Sequence, residues 1–122
     1  MEFSVDPSQS VKSVAELHDK AIEFLSTAIE AAKAGDINRR WQATDQARGI
    51  LLALRVSLDK ENGGEIAANL ERVYNFISVR LLDLDMKNDT KPADEAIDLL
   101  DPLRQSWHQL ANEIDADPAR LH

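Results

Sequence analysis

Apolar residues recur along this chain at alternating steps of three and four, the period that lines one face of an α-helix. Val14, Leu17, Ala21, Phe24, Ala28 and Ala31 form the first row. The second is Ile37, Trp41, Thr44, Ala47, Leu51, Leu54 and Leu58, and the third is Ile66, Leu70, Val73, Ile77, Leu81 and Leu84. The fourth is Ala96, Leu100, Leu103, Trp107, Leu110 and Ile114. The residues between the rows punctuate them. Ser13-Val14-Ala15-Glu16 has the form of a capping box, in which serine accepts from a first-turn amide and glutamate reaches back. Gly35 can close the first helix in the left-handed conformation, and Asp36 can cap the second. Asn62-Gly63-Gly64-Glu65 reads as a further cap with an acid in the first turn. Asn88-Asp89-Thr90 ends the third helix, and Pro92 suits the first turn of the fourth, where its missing amide has no partner to lose.

These signals predict helices over about 13–34, 36–58, 64–87 and 92–115. Each has about 20 residues and so spans about 30 Å. Short connections make successive helices antiparallel neighbours. No period-two run of β-branched residues argues for a strand. The expected fold is all-α: one antiparallel up-down four-helix bundle over 13–115, with an N-terminal arm (1–12) and a short C-terminal tail (116–122). Phe3 and Val5 are candidate anchors of the arm. Pro102 lies inside the fourth row, where a proline removes a hydrogen bond and costs about 3 kcal/mol or more. A kink or opening is therefore expected near Asp98–Asp101.

Composition narrows the function. At 122 residues the chain fits one domain with a core large enough to fold without disulfides or metals. It has no cysteine, which removes disulfides, thiolate metal sites and cysteine nucleophiles. MEFSVDPSQS has neither a basic nor an apolar signal region, so no secretory signal is expected, and no apolar run is long enough for membrane insertion. The expected location is cytoplasmic. The net charge of −8 argues against nucleic acid or anionic membrane as a target. Arg39, Arg40, Arg48 and Arg55 cluster on one helix among acids and read as a salt-bridged solvent face.

Candidate chemistry is sparse. Di-metal bundles need Glu-x-x-His on two helices, and none of His18, His108 and His122 has glutamate three residues before it. No metal site or cofactor is expected. Histidine phosphotransfer bundles carry an exposed histidine followed by lysine and glycine. His18-Asp19-Lys20-Ala21 has the wrong lysine spacing and lacks the glycine, so His18 reads as a partly exposed helix histidine. No nucleophile elbow, phosphate loop or dinucleotide fingerprint is present, and no catalytic residue is assigned.

There is, however, more apolar surface than a bundle seam requires. Ile22, Leu25 and Ile29 form a second row on the first helix. Ile50, Leu52 and Val56 do so on the second, and Tyr74, Phe76, Val79 and Leu82 on the third. They read either as a wide core face with scattered surface residues, or as a groove for an amphipathic partner segment.

Leu58-Asp59, Gly63-Gly64-Glu65-Ile66-Ala67, Asn69-Leu70, Val73-Tyr74 and Arg80-Leu81 resemble the signature of FliS-type flagellin export chaperones. Three flanking pieces agree in order and spacing: Ala21-Ile22-x-Phe24-Leu25, Gln46-Ala47-x-x-Ile50-x-x-x-Leu54 and Leu99-Leu100-x-x-Leu103-Arg104-x-x-Trp107. Together they cover roughly residues 13–112. The resemblance implies a non-enzymatic chaperone that binds the carboxy-terminal segment of flagellin in the cytoplasm. Such a chaperone prevents premature polymerisation and aids delivery to the flagellar type III export apparatus, whose components are further candidate partners. It implies Ile66, Asn69, Leu70, Tyr74 and Arg80 as signature positions, and Ile50 and Leu54 join them as candidates for the flagellin groove. The family's arm commonly carries tyrosine and leads into a Leu-Tyr-Asp-Gly-like start. Here the arm has none, and the start reads Leu17-His18-Asp19-Lys20. The alternatives are an adaptor bundle for another secretion or regulatory protein and a phosphotransfer module using His18. The sequence leaves the oligomeric state open.

Overall fold

The computed structural model describes residues 7–116. The anchors Phe3 and Val5 and the tail beyond Ala116 lie outside the described residues. Among those described there are four α-helices and no strand: α1 (Pro7–Lys33), α2 (Ile37–Val56), α3 (Lys60–Lys87) and α4 (Lys91–Ala116). Each helix packs against its neighbours around a ring, α1 against α2 and α4, and α3 against α2 and α4. This is the antiparallel up-down four-helix bundle.

The helix ends follow local chemistry. Proline suits an N-terminal turn, and α1 opens at Pro7, so Ser13 and Glu16 fall inside it rather than at its start. Gly35 takes a φ of +72° in the turn to α2. The Asp36 carboxylate accepts from the Arg39 amide at 3.2 Å and caps α2. Asp59 caps α3 by accepting from the Asn62 amide at 3.1 Å. Within α3 the backbone breaks at Gly64 (φ +52°, ψ −128°), a conformation open to glycine and strained for other residues. The cap thus moves from Asn62 back to Asp59, and Gly63-Gly64 becomes a kink after one turn. α4 runs through Pro102 as one helix, contrary to the expected opening. Pro102 and Asp98 are both exposed, so water can satisfy the Asp98 carbonyl that proline leaves without a donor.

The helices touch through side chains of different size. α1 buries Ala15, Ala21, Ala28, Ala31 and Ala32, and of these Ala21, Ala28 and Ala32 share one core cluster with Ala43 and Ala47 of α2 and Ala93 and Ala96 of α4. Methyl groups let these backbones approach closely, and α1 is held tightly by both neighbours. α3 instead fills its side with Tyr74, Ile77, Leu81 and Leu84 and stands further off.

The rows shift in places. On α2, Arg40 and Ala43 are buried while Ile37 and Trp41 are exposed. Arg40 donates through Nη1 to Asn88 Oδ1 (2.8 Å) and through Nη2 to the Asp85 carbonyl (2.9 Å), serving the C-terminal turn of α3. Asn88 sits in the left-handed region and donates to the Ala32 carbonyl at 3.2 Å, tying the end of α1 to that of α3. Arg48 adds an ion pair to Asp85. The four-arginine cluster is therefore partly structural rather than a plain solvent face. On α3, Ile66 is exposed and Ala67 takes its place in the core.

Candidate functional site

The opposite end of the bundle is open. There the start of α1, the end of α2, the start of α3 and the last turns of α4 enclose a cavity of about 290 Å³. Leu54 lines it from α2, Ser57, Leu58 and Asp59 from the α2–α3 turn, and Gly63, Ile66, Ala67, Leu70 and Tyr74 from α3. Val14 and Trp107 close it from α1 and α4. The kink at Gly64 lies beside it: Gly63, the residue before, lines the cavity, and a Cβ there would fall 2.8 Å from that of Ala67.

The polar groups of Ser57, Asp59 and Tyr74 are already engaged. Ser57 Oγ donates to the Leu54 carbonyl at 2.7 Å. The Asp59 carboxylate accepts from Asn62, whose side chain and then backbone hold its carboxyl below the usual carboxylate range. Tyr74 is buried, with its hydroxyl 2.9 Å from His18 Nε2. Burial pushes its phenol up to about 12. What remains facing the cavity is apolar surface suited to side chains of a protein segment. Among the described residues no group of three or more His, Asp or Glu is placed to hold a metal ion.

Four of the candidate residues meet here: Leu54, Ile66, Leu70 and Tyr74. Tyr74 is inner wall, while Ile66 stands at the mouth, 72% exposed. The other three do not join them. Ile50 is half-buried against the core. Asn69 lies on the outer face of α3 and accepts from Arg72. Arg80 bonds Glu95 of α4 (3.0 Å) and Asp83 (2.9 Å), tying α3 to α4.

The sequence did not mark His18 or Trp107 as part of the site: His18 read as a partly exposed helix histidine, and Trp107 belonged to the fourth core row and the fourth-helix motif. His18 is fully buried, not partly exposed. Its Nδ1 lies 2.8 Å from the Val14 carbonyl, which can only accept, so Nδ1 carries the proton and Nε2 accepts from the Tyr74 hydroxyl. The Trp107 ring lies nearly parallel to the imidazole, centroids 6.5 Å apart. A phosphoryl group cannot reach an imidazole enclosed in this way, which removes the phosphotransfer reading. The signal was present, since Val14, His18, Ala21, Leu25, Ala28 and Ala32 themselves follow four-three steps.

The surplus apolar rows divide. On α1, Leu25 is core, and Ile22 and Ile29 pack against it. On α2 and α3, Leu52, Val56, Phe76, Val79 and Leu82 are each at least half exposed. Leu52 lies between Arg48 and Arg55, which reach across to Asp85 and Asn75 of α3. Leu52 therefore flanks the α2–α3 seam, while helical spacing puts Val56 and Val79 on faces turned away from the core.

An all-helical bundle with an apolar cavity and exposed apolar side chains has the features of a protein-binding module. The family model for the flagellar protein FliS matches residues 2–114, and the chain belongs to that family. It is 30% identical to the flagellar secretion chaperone FliS of Salmonella typhimurium, over 97% of this chain and 86% of the relative. It is 30% identical to the flagellar secretion chaperone FliSB of Pseudomonas aeruginosa, over 92% and 89%. To the flagellar secretion chaperone FliS of Vibrio cholerae it is 32% identical, over 76% and 68%. The family is one of chaperones and not of enzymes. No helix among the described residues is long and apolar enough to cross a membrane.

Proposed function

We propose that this chain is an export chaperone for flagellin, binding its carboxy-terminal segment in the cytoplasm, blocking early polymerisation and passing it to the flagellar type III export apparatus. The observation that carries this reading is the apolar cavity at one end of the bundle, together with exposed apolar side chains on α2 and α3. A segment that orders on binding loses chain entropy and needs broad apolar contact to offset it. Apolar side chains of the segment enter between Leu54, Ile66, Leu70 and Trp107. The rest of it covers exposed apolar side chains of α2 and α3, among them Leu52, Val56, Val79 and Leu82. Titration calorimetry of the chain with the carboxy-terminal peptide of its cognate flagellin tests this. A one-to-one complex is expected, and no heat at micromolar concentrations sinks the reading. Binding to another secreted flagellar protein instead would make the chain an adaptor for that client.

A further inference from the structure

His18 is a titratable side chain sealed inside the wall of an otherwise apolar cavity. It stands on α1, accepts from Tyr74 of α3 across the bundle, and lies under Trp107 of α4. Both partners line the cavity. We propose that His18 is the positioning residue of this pocket: neutral, it holds Tyr74 and Trp107 as the inner wall, and its protonation loosens that wall and lowers the pocket's affinity for an apolar protein segment.

Donors and acceptors decide what a second proton does here. In the neutral ring one nitrogen donates to the Val14 carbonyl and the other accepts from the phenol. A second proton turns Nε2 into a donor. The Tyr74 hydroxyl then loses its acceptor, and its hydrogen must turn towards the apolar cavity. A buried cation also lacks the solvation it has in water. Relief requires water to reach the ring, and Tyr74 and Trp107 are what exclude it. The groups facing His18 only partly compensate. Asp19, next on α1, favours the cation, but it is shared with Arg104 (3.6 Å) and His108 (2.8 Å) of α4. His108 itself opposes a second positive charge. α3 supplies only the neutral phenol, and α2 and the turn after it face the cavity with Leu54, Ser57 and Leu58, none of which titrates. Asp59 lies at the mouth, engaged with Asn62. Burial accordingly holds the imidazole below its ordinary value of 6.5.

The binding part of this inference rests on the flagellin reading, and the motion of the wall does not. Trp41→Phe leaves Trp107 as the only tryptophan, and its emission is followed from pH 7.5 to 5 while circular dichroism monitors the fold. A red-shift or quenching is expected in that protein and is lost when His18→Gln is added, since the amide can donate and accept but does not titrate. The same response with glutamine in place overturns the inference. If His18→Gln does not fold, Tyr74→Phe keeps the test. Removing the hydroxyl that stabilises the neutral ring moves the midpoint to higher pH, and an unmoved midpoint overturns the inference. In the second arm, affinity for the flagellin carboxy-terminal peptide is measured at pH 7.5 and 5.5. The natural chain is expected to lose severalfold, with a ceiling of about tenfold set by the ordinary imidazole pKa, and His18→Gln to hold its own pH 7.5 value. Equal pH profiles overturn the inference. A Trp107 response without any peptide binding overturns the client assignment instead.

Discussion

At one end of the bundle, where α1 turns into α2 and α3 into α4, small residues and a polar knot close the core. Ala31, Ala32 and Ala93 are buried there, and Arg40, Asn88 and the Asp85 and Ala32 carbonyls join three helices through hydrogen bonds. At the other end large side chains surround a space they do not fill. Both ends use a residue or two of left-handed backbone, but for different purposes. Asn88 finishes a helix neatly, whereas Gly64 breaks one and opens it. The polar knot and the proposed binding cavity thus lie at opposite ends of one core, so the closed end should be open to perturbation without loss of binding.

Substitutions graded by place test that division. The largest loss of stability is expected from Leu84→Ala at the closed end, where truncating a fully buried leucine costs about 2–5 kcal/mol in urea denaturation. Peptide affinity under native conditions should stay near its original value, and a parallel collapse of affinity would break the comparison. Gly64→Ala is expected to cost about 1–3 kcal/mol, because alanine is strained at that φ. Unlike Leu84→Ala it should also weaken binding, since the kink lies beside the cavity. Arg40→Ala leaves the Asn88 side chain and the Asp85 carbonyl without this donor, at about 1–3 kcal/mol, again with binding retained.

Acid gives a smaller, sloped effect. Burial lowers the His18 pKa in the folded chain, so between that value and 6.5 the unfolded chain binds more protons. The stability due to neutral His18 is complete above 6.5 and declines as pH falls below it, by at most about 1.4 kcal/mol per pH unit. Urea midpoints at pH 7.5, 6 and 5 read this slope, and His18→Gln should flatten it. Last, Ile66→Asp at the exposed mouth should alter stability by no more than about 0.5 kcal/mol. It should nevertheless reduce peptide binding strongly, and unaltered binding would move the client away from the cavity.

The number, order and direction of the helices were legible because apolar period, caps and short loops all agree, and each acts over a few residues. The exchange of Trp41 for Arg40 in the core was not legible. What lets an arginine go inside is the carboxy-terminal turn of α3, more than forty residues away in the chain. Beside the cavity the backbone breaks at Gly64, which the sequence marks only as part of a helix cap. For His18 the period pointed inward while its polarity pointed outward, and the partner that decides between them, Tyr74, lies on another helix. The site residues share one signature yet divide between wall, mouth, outer face and interhelical ion pair.

The alanine contacts of α1 carry one more consequence. Helices meshed by methyl groups have no slack, so α1, α2 and α4 should breathe as one unit. α3, fastened by larger and fewer contacts, is the element free to detach. Its backbone amides should then be the first to exchange with deuterium, well before those of α1, and a bound client should slow that exchange. The chaperone would carry its own loose stave, which the cargo holds in place.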